Sequence, residues 1–173
     1  MEDFLAIPRA TLTKIKAVIA QMGSQYSQLE LQYVELPENP LGIGIAVTSG
    51  GAYYSVISIL MSTQGQFNIT SGILRDIQQD EVSALRLCNK MVRDNPAYPI
   101  FLHDAPIGWD ILVETTLPTA LLFDSPLVVA NTTYGLPRIA EAARPAFLEA
   151  NLGGRPFNWD SEDINRLLLV SLL

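Results

Sequence analysis

Cysteine and histidine are each present only once, as Cys88 and His103. A single cysteine cannot close an internal disulfide, so nothing in the chain calls for an oxidising compartment. One Cys and one His, fifteen positions apart, also fall short of a zinc site, which takes several such ligands at short spacings. Charge is sparse too, at 17% of 173 residues, and the 11 basic side chains form no run. With a formal net charge of −7, nucleic acid and anionic membrane are excluded as main partners, because binding phosphates takes clustered Lys and Arg. No apolar run approaches the roughly 18 residues that span a bilayer. The stretch MEDFLAIPRATLTK opens on acids and has no basic-then-apolar signal segment, so the chain is expected to be soluble and cytoplasmic. P-loop, nucleophile elbow and aromatic-plus-basic stacking platform are all missing. The sequons at Asn68 and Asn131 are read as chance matches.

What is present is a globular composition, 49% apolar, with enough residues for one domain and a full core. Pro8 fits the first turn of a helix, and Leu12, Ile15, Val18, Ile19 and Met22 follow at helical spacing before Gly23. LELQYVEL alternates as a half-buried strand. IGIAVTS places Ile43, Ile45 and Val47 on one face and Gly44 and Ala46 on the other. Gly50-Gly51 then turns the chain into AYYSVISILMS, a third strand. FNITSGIL fits either a short fourth strand or an extended connection.

Asp80 is placed to cap EVSALRLCNKMVRD, a helix with the apolar stripe Val82, Leu85, Cys88, Met91 and Val92, widened by Ala84 and Leu87. Buried packing is expected for it. YPIFLHD and WDILVETTL, joined by APIG, read as a hairpin. From Ser125 the pattern is helical again through Leu136, Ile139, Ala140, Ala143 and Phe147, with a break or kink expected at Pro137 and Pro145. A last helix follows Asp160 or Ser161. The expected class is α+β: helix, three antiparallel strands, helix, two-strand hairpin, helix, with residues 1–154 as one domain and residues 155–173 as a C-terminal helical extension.

Cys88, His103 and Asp104 are the parts of a thiol hydrolase, but their pattern is structural. A reactive cysteine needs an electropositive, accessible setting, and Cys88 falls in a helix's apolar stripe. His103 and Asp104 are neighbours on a strand and so point to opposite faces. An oxygen-rich metal site from Asp104, Asp110, Asp124 and His103 matches no ligand loop. GIGIAV resembles the start of a dinucleotide fingerprint, but position 47 is Val and a strand follows, leaving no helix N-terminus for phosphate. Gly44 and Ala46 are better read as a smooth strand face for close packing. No catalytic, cofactor-binding or metal residues are assigned, and no cofactor is expected.

The order of elements, and the segment ALRLCNKMVRDNPAYPIFLHD…GWDILVETTL with its Leu-rich helix carrying Asn89, resemble the YbjN-like proteins of bacteria, which are grouped with the type III secretion chaperones. The resemblance spans roughly residues 8–152 and is of an actinobacterial style. The Pro-interrupted third helix and the extra C-terminal segment depart from the simplest members. It implies a secretion-chaperone-like fold for residues 1–154. It also implies a non-enzymatic protein, chaperone-like or regulatory, that binds a protein or peptide segment and forms a homodimer. No binding residue matches a family motif. The alternatives are a structural subunit of a larger assembly, or a hydrolase using Cys88 and His103. The C-terminal RLLLVSLL is either a partner surface or a helix folded onto its own core.

Overall fold

The computed structural model describes residues 6–26, 28–34, 39–62, 65–96, 100–158 and 160–170. Helix α1 (Ala6–Met22) is followed by a short 3-10 turn and by strands β1 (Glu30–Val34), β2 (Gly42–Ser49), β3 (Ala52–Met61) and β4 (Gln66–Ile77). Then come α2 (Glu81–Asp94), β5 (Ile100–Asp104), β6 (Trp109–Pro118), α3 (Leu121–Asp124), α4 (Pro126–Glu149), β7 (Arg155–Pro156) and α5 (Ser161–Val170). The class is α+β, and every strand pairing is antiparallel. The strands form one sheet in the order β1-β2-β3-β4-β6-β5, with β7 paired to β4. Its edges are therefore β1 and β5. None of the described helices is long and apolar enough to cross a membrane.

The expected count of three strands before α2 is corrected to four. FNITSGIL belongs to a twelve-residue strand in the middle of the sheet. Helices cover the sheet on both faces at β4, so Phe67, Ile69, Ser71, Ile73 and Leu74 are all buried. A strand with two dry faces loses the polar–apolar alternation that marks a half-exposed one. By contrast, the β2–β3 turn follows its local chemistry. Gly50 and Gly51 both have positive φ, 58° and 78°, as a tight two-residue hairpin loop demands.

The first face carries Ile43, Ile45, Val47, Ile57, Ile59 and Ile69, which pack with Leu12, Ile15 and Ile19 of α1 and Val129, Leu136 and Phe147 of α4. Helix α4 runs unbroken through Pro137 and Pro145, so of the expected break or kink the break does not occur. Each proline removes one backbone hydrogen bond, but burial of residues on both sides of it holds the helix against the sheet. The interruption lies earlier, at Ser125 between α3 and α4. From α4, Arg144 donates to the carbonyls of Ile73 (3.2 Å) and Gly72 (3.5 Å), beside the point where the β4–β6 register shifts.

The second face is covered by α5. Val56, Leu60 and Leu112 pack there with Phe157, Ile164, Leu167 and Leu168. Glycines on the strands make room for this layer. A Cβ at Gly44 would overlap Ile164, one at Gly42 would overlap Leu168, and one at Gly72 would overlap Phe157. The smooth face expected of Gly44 and Ala46 is thus the seat of the chain's own last helix. Leu167 and Leu168 of the Leu-rich C-terminus are core residues, fully buried. The side chains of residues 169–173 lie outside the described ones.

Helix α2 is capped by Asp80, whose Oδ1 accepts from the Ser83 backbone N–H at 3.0 Å. Its buried line is Ala84 and Cys88, with Leu87, Met91 and Val92 partly covered. Val82 and Leu85 are 57% and 47% exposed, which corrects the expected stripe and the expected burial of the whole helix. Apolar residues occupy more than half of the helix circumference, and the sheet has room for only one line of them.

Candidate functional site

Cys88 and His103 do not meet. Cys88 is buried in the first-face core, where burial pushes its thiol up to about 12. A thiol held there is neutral at physiological pH and closed to solvent. On β5, Ile100 and Leu102 pack into the first-face core while Phe101 packs against the second. His103 therefore shares the second face with Phe101, and Asp104 points away from it. The backbone register sets His103 opposite Asp110 and Asp104 opposite Trp109. Asp124 is exposed at the end of α3, and Asn89 is exposed on α2. Among the described residues, no three His, Cys, Asp or Glu side chains gather as a metal site.

Asp110 instead belongs to an ion cluster under α5. Its carboxylate is fully buried and accepts two hydrogen bonds from Arg166, at 2.5 and 2.6 Å. Arg166 also reaches Asp76 at 2.8 Å. Burial works against the Arg166 charge, but the bonds to Asp110 and the charge of Asp76 outweigh it and raise its pKa. Asp76 sits at a left-handed φ of 59°, in the irregular end of β4, and its N–H donates to Asp110 at 3.1 Å. Arg75 pairs with Asp76 and Glu162, each at 2.8 Å, and with buried Asp163. Arg155 of β7 completes the set on Asp163 and Asp76. At the start of α5, Asp160 is the residue that caps, accepting from the Asp163 N–H at 2.9 Å. The members come from β4, β6, β7 and α5, and they pair with one another. The cluster is a clamp that fixes α5, with buried Asp110 and Asp163 at its centre and Glu162 at its exposed rim.

The candidate site lies at the edge of β5. A cleft of about 460 Å³ is lined there by Glu81, Leu85, Phe101, Leu102, His103, Asp104, Trp109 and Glu114. Residues of both sheet faces line it, so it wraps around the edge of the strand, with α2 as one wall. Ile107, 57% exposed, stands in the adjoining β5–β6 turn. That turn closes on an Ala105 N–H to Gly108 carbonyl bond of 3.1 Å. Gly108 has φ 72°, and a Cβ there would overlap the Ile77 carbonyl. Among the described residues, β6 is the only strand beside β5, so the outer edge of β5 has no strand on it. An edge strand's outward N–H and C=O groups are a template for a further strand.

Of these lining residues, sequence reasoning weighed His103 and Asp104 as catalytic or metal-binding groups, and none as part of a peptide cleft. The one available signal was the surplus of apolar residues on α2, more than a single buried stripe can use. No protein-family model matches the chain, and comparison with curated proteins finds no match.

Proposed function

We propose that the chain is a non-enzymatic peptide- or protein-binding module, which takes an extended segment of its partner as an added strand along β5. The resemblance of its sequence to the YbjN-like, secretion-chaperone-like proteins points to the same class of activity. The observation that carries it is the cleft at the β5 edge, where an open strand adjoins apolar side chains that the core covers only in part. Strand addition draws affinity from main-chain hydrogen bonds and selectivity from pockets for alternate side chains. The β5 edge supplies both, with Leu85, Phe101, Leu102 and Trp109 as apolar walls. The opposite edge, β1, presents the exposed polar residues Glu30 and Gln32, which discourage such pairing.

The test is to select peptides from a random library on the immobilised full chain, then map their binding by amide hydrogen exchange. Selected peptides should slow exchange in residues 100–104. Leu85→Ser, a change at an exposed position that removes an apolar wall without adding charge, should weaken binding by about tenfold or more. Failure to enrich any peptide overturns the proposal. So do peptides that leave β5 exchange unchanged or bind Leu85→Ser as well as wild type.

A further inference from the structure

Building on the peptide-binding role proposed above, we infer that the segment taken by the β5 cleft is cationic, an extended chain in which Lys or Arg alternate with apolar side chains. The lining of the cleft carries this. Its apolar walls are Leu85, Phe101, Leu102 and Trp109, and its charged groups are the carboxylates Glu81, Asp104 and Glu114 beside His103. No Lys or Arg is among the described residues that line it.

The carboxylates are placed on both sides of the edge. Glu81 and Asp104 stand on the α2 side with Leu85, Leu102 and Trp109. On β6, Glu114 stands on the other side, where its Oε2 accepts from the Thr70 hydroxyl at 2.7 Å. Side chains of an added strand alternate between these two sides, so each row meets an apolar wall and a carboxylate. An anionic segment would set like charges together at both rows, which costs affinity. The chain's net charge of −7 extends the same sign beyond the cleft and favours encounter with a cationic partner.

Two synthetic peptides of about eight residues, longer than the five-residue β5, test this by strand length. They share their apolar positions and carry either lysine or glutamate at the rest. Binding to the full chain is followed by fluorescence anisotropy across a salt series, and amide exchange in residues 100–104 is measured alongside. The lysine peptide should bind about tenfold or more tightly than the glutamate peptide at low salt, with the gap closing as salt rises. It should slow β5 exchange. Joint substitution Glu81→Gln and Asp104→Asn should narrow the gap. Equal affinity, with both peptides slowing β5 exchange, overturns the charge preference and leaves strand addition standing. If neither peptide slows β5 exchange, both proposals fall. A lysine peptide that binds without protecting β5, and is indifferent to the double substitution, is held by net charge alone and overturns the cationic selectivity of this cleft.

Discussion

Gly44 and Cys88 show how single residues take their role from what lies over them. At Gly44 the missing Cβ is the space that Ile164 fills. Gly44→Ala should therefore destabilise the protein by about 1–3 kcal/mol through overpacking, and Ile164→Ala in the same chain should recover part of that loss. Urea denaturation of the two single variants and the double variant measures the coupling. Full additivity would show that the two positions do not touch. For Cys88 the expectation is sluggish labelling by a thiol reagent in the native state and fast labelling in denaturant. Rapid native labelling would mean an accessible, activated thiolate. Burial raises Cys88 to about 12, and burial raises Tyr33 and Tyr53 to about 12 as well. All three ionise more readily when unfolded, so their contribution is intact below the unfolded thiol value of about 8.5–9. It is lost as pH rises from there toward 12. A urea midpoint that stays level from pH 9 to pH 12 would contradict this burial.

Among the elements, α5 is the one whose place depends on both packing and charge. Arg166 holds a fully buried Asp110 with two hydrogen bonds, and removing one partner of such a pair strands a charge in the interior. Arg166→Met should cost about 3–5 kcal/mol in urea denaturation. Arg166→Met with Asp110→Asn should cost less than the single change, since it removes the stranded charge. Elements also differ in how far their sequence announced them. The capped start of α2 at Asp80 and the Gly50-Gly51 hairpin were legible because each is settled within four residues. The side of α2 that is buried was not, because Val82 and Leu85 are as apolar as the residues that do face the core. β4 was ambiguous because two covered faces erase alternation. The unbroken course of α4 was hidden by Pro137 and Pro145, whose local penalty is overridden by burial along the helix.

For the whole molecule, the question is whether the sheet can stand without its second layer. Phe157, Ile164, Leu167 and Leu168 are each 2% exposed or less. At about 1.5–3 kcal/mol per buried side chain, the four together contribute about 6–12 kcal/mol, comparable with the total stability of a domain. A chain ending at Pro156 should therefore lose cooperative unfolding and bind a hydrophobic dye through Val56, Leu60 and Leu112. Cooperative unfolding at an unchanged urea midpoint would mean that residues 157–173 are an appendage. On this account the C-terminal segment is the second wall of the core.

The sequence by itself determined the α+β class, the order of most elements, the caps and turns, and the small-residue face of β2, because these follow from spacings of a few positions. Tertiary structure alone decided three things. It brought Arg75, Asp76, Asp110, Asp163 and Arg166 into one cluster across more than half of the chain's length. It put Cys88 and His103 on opposite sides of the sheet, and it left β5 at an edge. Each depends on strand order and on which face a helix covers, and no local periodicity encodes either.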